Sequence, residues 1–280
     1  MTIAVTKIKI FFAHWLYKMV KLFFHQDQRQ IKRKGINYAI DLREGLDLSL
    51  FLFGNFQSHV ADNPLLTVDN DASIYDVGAN FGLMSLKYAD RLGDQGKVYA
   101  FEPTDYAFAK LKRNLQLNPE LEKKVTTIKT FLSDQLQKDY KEKVYSSWRI
   151  DSIKDADNRH PVHMGEEQPS GGIGTTTLDS FSQENQVKNL QLIKIDTDGH
   201  EHKILAGAIE TIKTYRPKII FEIGLYIMEE KGISFQFYYD FFSALKYKLI
   251  NAQNNKEVTK SNYKKQIPSR GTTDIIALPI

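Results

Sequence analysis

Ile74-Tyr75-Asp76-Val77-Gly78-Ala79-Asn80-Phe81-Gly82 is the stretch whose reading decides the fold. A short apolar run stops at Gly78, and an amphipathic stretch, Leu83 to Arg91, starts after Gly82; this is the pattern of a strand, a glycine turn and a helix. Glycine at 78 and 82 lets backbone come close to a ligand, and the helix start presents unpaired N–H groups. At the carboxyl end of a buried strand, such a turn forms a nucleotide-type crevice.

Working outward, short apolar runs alternate with amphipathic stretches from Ser73 onward, which predicts an α/β fold with a mostly parallel sheet and helices on both faces. Strands are expected at Ile74 to Val77, Val98 to Phe101, Val125 to Leu132, Leu192 to Ile195 and Ile219 to Ile223. Helices are expected at Leu83 to Arg91, Tyr106 to Leu117, His202 to Thr214 and Phe235 to Leu245. Lys246 to Ala252 and Asp274 to Leu278 supply a closing antiparallel pair, for seven strands in all. The polar stretch at about 135–176, with Pro161, Pro169 and Ser170-Gly171-Gly172-Ile173-Gly174, reads as a substrate-covering insertion with a strand around Val144 to Ile150. Ahead of the 73–280 domain, residues 35–72 read as a cap, with a strand at Ile36 to Leu42 and a helix at Leu48 to Val60.

Two cofactors compete for the glycine turn. Glu102, in Phe101-Glu102-Pro103 at the end of the second strand, is placed to accept both hydroxyls of a ribose. A dinucleotide would bring a pyrophosphate beside Asp76, an unfavourable pairing of like charges, and the G-x-x-x-G spacing lacks the third glycine. S-adenosylmethionine carries an ammonium and a sulfonium, which acids near the loop favour. Ser133-Asp134 ends the third strand, where a carboxylate meets an adenine amino group.

The fourth strand ends in Asp196-Thr197-Asp198-Gly199-His200-Glu201, and the fifth in Phe221-Glu222-Ile223-Gly224. Methyl transfer to a hydroxyl needs alignment and a base, and Asp196, Asp198 and His200 are the candidates, with Glu222 converging on the same edge. Asp196, Asp198 and Glu222 are also placed to hold a divalent cation. Glu201 fits helix N-terminal capping. Zinc is disfavoured, because neither His200-Glu201-His202 nor His160-Pro161-Val162-His163 has catalytic zinc spacing. G-x-S-x-G is absent, which removes the usual hydrolase signature.

Composition narrows the classes. The 280 residues are 42% hydrophobic and 26% charged with no cysteine, so the chain is globular, with neither a disulfide framework nor a thiol nucleophile, and the cytoplasm is the expected compartment. A net charge of +4 is too mild to argue for nucleic acid. Its distribution is uneven: the first 40 residues hold eight basic side chains and one acid, a charge of +7. Within residues 1–34, Ile8, Phe11, Phe12, Trp15, Leu16, Met19, Leu22 and Phe23 fall on one broad helical face, with the basic cluster Arg29 to Lys34 following. Two readings stay open: the face covers the domain or a partner subunit, or residues 7–34 lie on the inner face of a membrane. A spanning helix is excluded by length, and Lys18 and Lys21 argue against a signal peptide.

Taken together these residues resemble the FkbM-type S-adenosylmethionine-dependent methyltransferases. The matches run through Asp76 to Gly82, Phe101-Glu102-Pro103, Asn114 to Asn118, Leu132-Ser133-Asp134, Thr177-Leu178-Asp179, Lys194 to Glu201, Leu205-Ala206-Gly207-Ala208, Arg216-Pro217 and Glu222, in the expected order. The resemblance implies a class I methyltransferase (Rossmann-like) fold, S-adenosyl-L-methionine as donor, and O-methylation of a sugar, cell-surface glycan or secondary metabolite. It implies that Asp76, Gly78, Asn80 and Gly82 line the methionine end, Glu102 the ribose and Asp134 the adenine, with Ala79, Phe81, Pro103, Ser133 and Asp196 also at the cofactor. Asp198 stands where the family usually has glutamate, and Gln57, in Gly54-Asn55-Phe56-Gln57, stands where relatives often have one. N- or carboxyl-methylation of a metabolite, a nicotinamide oxidoreductase and a non-catalytic scaffold are the alternatives. The expected partner is a small-molecule or glycan acceptor, with homo-oligomer formation left open.

Overall fold

The structure is a computed structural model that describes residues 2–54, 57–138, 144–146, 150, 166–168 and 173–280. The chain opens with helix α1 (Thr2–Phe23) and an antiparallel hairpin, β1 (Gln28–Arg33) and β2 (Ile36–Asp41). Lys34 and Gly35, with φ of 48° and 89°, make its two-residue turn, the conformation whose twist suits adjoining strands. Helices α2 (Gly45–Phe53) and α3 (Ser58–Ala61) follow. The single helix expected at Leu48 to Val60 is thus broken, because Gly54 takes a left-handed φ of 65° and ends α2.

The central part runs β3 (Ser73–Val77), α4 (Leu83–Arg91), β4 (Lys97–Phe101), α5 (Asp105–Gln116), α6 (Pro119–Glu122), β5 (Val125–Ile128) and β6 (Phe131–Leu132). Two short strands, β7 (Val144–Ser146) and β8 (Glu166–Gln168), pair antiparallel, and β9 (Thr175–Thr176) pairs parallel with β6. Then come α7 (Leu178–Glu184), β10 (Leu190–Ile195), α8 (Glu201–Ala206), α9 (Ile209–Tyr215), β11 (Lys218–Ile223), α10 (Leu225–Glu230), α11 (Phe235–Ala244), β12 (Tyr247–Asn251), α12 (Tyr263–Gln266) and β13 (Thr273–Pro279).

Seven strands form one sheet in the order β12-β13-β11-β10-β3-β4-β5, parallel except for β13, which is antiparallel to β11 and β12. From β3 the chain builds outward through β4 and β5, then returns to the other side with β10 and β11. The order reverses between β3 and β10, and the crevice at their carboxyl ends is where open α/β sheets bind ligands. Alternation along the central strands feeds two cores. Ile74, Val98, Ala100 and Leu192 enter one apolar cluster, while Tyr75, Val77, Phe101 and Ile193 enter the other. The first cluster also takes Ile36, Tyr38 and Leu48 from the N-terminal cap, so cap and sheet share a core.

Side chains at the end of α5 and the start of α6 fix that cap. Asn114 Oδ1 accepts from Ala39 N at 2.7 Å while its amide donates to Phe81 O at 2.8 Å, and Asn118 Oδ1 accepts from Asn37 N at 2.9 Å. The strand expected at Val125 to Leu132 is split, since β6 leaves the sheet to meet β9. The helix expected at His202 to Thr214 breaks at Gly207, where a Cβ would lie 2.1 Å from Ser133 O. Of the strand expected at Val144 to Ile150, residues 144–146 are strand and 147–149 lie outside the described residues, as do His160, His163 and Ser170 to Gly172.

Candidate active site

A cleft open to solvent lies over the carboxyl ends of β3, β4 and β10. Gly78, Asn80, Glu102, Pro103, Asp196, Asp198 and His200 line it. Phe101, Ala107, Phe131, Leu132 and Ile204 give it apolar walls. Among its lining residues there are three acids and one histidine, and no lysine or arginine.

The glycine turn is bound tightly to its neighbours. Gly78 N and Ala79 N both donate to Phe101 O, at 3.0 and 2.9 Å, Asn80 N donates to Glu102 Oε2 at 2.9 Å, and Gly82 N donates to Ala79 O at 2.9 Å. Gly78 and Gly82 have φ of 74° and 88°. A Cβ on Gly78 would lie 1.9 Å from Asp196 O, and one on Gly82 would lie 2.5 Å from Leu111 Cδ1. Gly78 is therefore demanded by close packing as well as by turn geometry, and Gly82 by its left-handed backbone.

Glu102 is buried, and its second oxygen accepts from Thr104 N at 2.9 Å and Thr104 Oγ1 at 2.6 Å. Burial raises its pKa, against the pull of the Thr104 and Asn80 hydrogen bonds. Asp76 lies beneath the turn rather than in the cleft. It is fully buried, accepts from Ser85 Oγ at 2.6 Å, and stands 3.1 Å from Lys194 Nζ. Lys194, which sequence reasoning left without a role, also donates to Gly78 O at 3.0 Å and lies 3.9 Å from Asp196. Burial works to lower its pKa, but the charges of Asp76 and Asp196 outweigh that and hold it above the ordinary lysine value. Parallel register sets Lys194 directly opposite Asp76, a pairing no local pattern reveals.

After β10 the chain turns at Asp198 and Gly199, with φ of 53° and 107°. This lets Glu201 fold back and accept from Thr197 N and Thr197 Oγ1, both at 2.9 Å. Glu201 is thus a buried cap of its own turn. Asp196 receives a 3.4 Å contact from Gln57 Nε2 of the cap, and burial raises its pKa against the opposing charge of Lys194. Enclosure in the cleft, then the charges of Asp196, Glu201 and Glu102, push the Asp198 carboxyl up to about 8. Solvent reaches the exposed Asp198 side chain and softens the first of these causes.

Ala79, Phe81, Gly82, Ser133 and Asp134 are not among the lining residues; Ser133 Oγ donates to Asp134 Oδ1 at 3.0 Å, and the Asp134 side chain is exposed. Glu222 also lies off the lining, and burial, then Asp196 and Asp198, raise its pKa strongly. Opposite it in the β11–β13 register is Asp274, which pairs with His59 Nε2 of α3 at 2.6 Å. His59 and Asp274 were missing from the sequence-derived candidates, because they meet only across 215 positions of chain. Among the described residues no group of three or more His, Asp or Glu is arranged to hold a metal ion, so the cation reading of Asp196, Asp198 and Glu222 finds no support.

The family model described as the methyltransferase FkbM domain matches residues 76–249. Methyltransferase 1 of Beauveria bassiana is 25% identical over 149 residues, which cover 49% of this chain and 59% of that protein. The match therefore spans less than two thirds of that relative. Among solved structures, an FkbM methyltransferase from Methylobacillus flagellatus is similar with a TM-score of 0.46 and 15% identity, over 76% of this chain and 45% of that one. A TehB-like S-adenosylmethionine-dependent methyltransferase from Corynebacterium glutamicum is similar with a TM-score of 0.45 and 11% identity, over 83% and 94%.

Proposed function

The chain belongs to the FkbM methyltransferase family, and from that premise we propose that it methylates a hydroxyl oxygen of a sugar, glycan or secondary metabolite with S-adenosylmethionine as donor. The observation that carries the donor assignment is the lining of the cleft. Its described lining offers Glu102, Asp196 and Asp198 and no lysine or arginine, and the Gly78, Ala79, Asn80 and Gly82 amides of the glycine turn already donate to protein acceptors. A pyrophosphate would meet carboxylates and no cation among the described lining residues, which counts against the nicotinamide reading. An ammonium and a sulfonium meet carboxylates instead. Glu102 suits ribose hydroxyls, Asp196 and the Gly78 backbone suit the methionine end, and the walls made by Phe101, Phe131, Leu132 and Ile204 suit a purine.

Bound adenosylmethionine supplies an electrophilic methyl carbon. An attacking hydroxyl must be aligned and must lose its proton as its oxygen gains a bond. Asp198 fits the role of base: it lines the cleft, solvent reaches it, and its raised pKa lies near a working pH, where proton acceptance is most effective. Asp196 is held by Lys194 and Gln57, and so serves to position.

Transfer of a labelled methyl group onto polyol acceptors tests this reading. The product should be an alkali-stable ether, and Asp198→Asn should lower kcat by about 10²-fold or more, as loss of a general base does. Wild-type kcat/KM should rise with pH through about 8 as Asp198 loses its proton, and the variant should lose that limb. Label found only on nitrogen or as an alkali-labile ester would reject the hydroxyl acceptor.

A further inference from the structure

Helix α1 carries two apolar stripes, of which one packs into a core cluster. Ala13, Leu16 and Tyr17 pack on the first core cluster, and Val20 is buried in it. Phe12, Trp15, Met19, Leu22 and Phe23 recur at helical spacing on a second stripe, centred about 120° away at 3.6 residues per turn. That stripe faces solvent, with Trp15 51%, Leu22 68% and Phe23 75% exposed. The patch extends beyond the helix. Phe24 meets Phe51 edge-on at 5.2 Å, Arg29 lies over both rings, and Phe53, two residues on, is 67% exposed. Contiguous exposed apolar surface of this kind marks an interaction face.

Charge says what covers it. The first 40 residues carry +7, against −3 on the remaining 240. Lys18 presents an exposed side chain at the edge of the stripe on α1 itself, and Lys32 is exposed on the hairpin that follows. A second copy of this face would bring +7 against +7, which disfavours self-association through it. Nucleic acid would match the charge but offers nothing to bury Met19, Leu22 and Phe23. An anionic bilayer satisfies both properties, since the apolar side chains enter the acyl boundary while the lysines stay among the headgroups. No helix among the described residues is long and apolar enough to cross a membrane, so the mode available to α1 is to lie in the interface.

We infer that the outer stripe of α1, with Phe53 and the basic hairpin, is a peripheral docking face for an anionic lipid surface. It is joined in sequence to the candidate active site: Phe53 stands four positions before Gln57, whose amide reaches Asp196. The lipid contact itself does not depend on which acceptor the enzyme methylates.

The test uses the full chain and vesicles of phosphatidylcholine alone or mixed with phosphatidylglycerol. In a Trp148→Phe background Trp15 is the single indole, because the sequence holds two tryptophans. Its emission should shift to the blue with phosphatidylglycerol vesicles, and the protein should sediment with them. Affinity should fall about tenfold or more when salt rises from about 0.1 to 0.5 M, and again in Lys18→Glu/Lys32→Glu or in Leu22→Ser/Phe23→Ser. The lysine pair is exposed, so its effect is read without disturbing the core. Absence of sedimentation, equal binding to neutral vesicles, or indifference to both double variants would overturn the inference. Self-association abolished by Leu22→Ser/Phe23→Ser would overturn it too, by giving the face to a second copy.

Discussion

Lys194 joins two strand ends at one atom: its ammonium lies 3.1 Å from Asp76, donates to Gly78 O at 3.0 Å, and stands 3.9 Å from Asp196. Removing it strands Asp76, which is fully buried, without a cation. Lys194→Met should therefore cost about 3–5 kcal/mol, the range for breaking a buried pair from one side. Urea denaturation checks this, and a loss under about 1 kcal/mol would contradict the role given to the pair. Local sequence makes Asp76 look like an acid facing a cofactor, yet it supports the loop from below. The types of residue at the strand ends were legible, because runs such as Ile74 to Val77 and Val98 to Phe101 end in glycine or acid. Which acids face the cleft was not, because parallel register set Lys194 opposite Asp76.

At the scale of elements, α3 docks on the sheet edge through His59 and Asp274 at 2.6 Å. The hydrogen bond to Asp274 holds the His59 pKa above its ordinary value, against the lowering effect of partial burial. A raised histidine pKa contributes stability that is fully present below the unfolded pKa of about 6.5 and is lost as pH rises through the folded value. His59→Gln should therefore cost about 1 kcal/mol near pH 6, the worth of a half-exposed charge-assisted bond, and less near pH 9. Denaturation at both pH values reads the difference; an equal or larger loss at pH 9 would reject the linkage. The same pair shows where sequence reading stops. Buried parallel strands announce themselves as continuous apolar runs, so β3, β4, β10 and β11 were visible. Strand β1, Gln28–Arg33, has one apolar residue, Ile31, and is specified by its pairing with β2 and the Lys34-Gly35 turn. Gly54 and Gly207 broke two helices that periodicity alone had drawn as continuous.

Over the whole molecule, one seven-stranded sheet separates two apolar cores and gathers its acids at a single edge. The N-terminal segment shares the first core and its first 34 residues concentrate the positive charge, so the chain is acidic at its cleft and basic at its N-terminal helix and hairpin. That polarity, and the committed amides of the glycine turn, underlie the central claim that the cleft takes a cationic cofactor and not a pyrophosphate. Titration calorimetry of wild type and Glu102→Ala with S-adenosylmethionine, its demethylated product and NAD tests it most directly. The expected result is micromolar-range binding of the first two to wild type, on the order of 8 kcal/mol, at least tenfold weaker binding to the variant, and none of NAD. Preference for NAD, or equal binding of S-adenosylmethionine by both proteins, would contradict it.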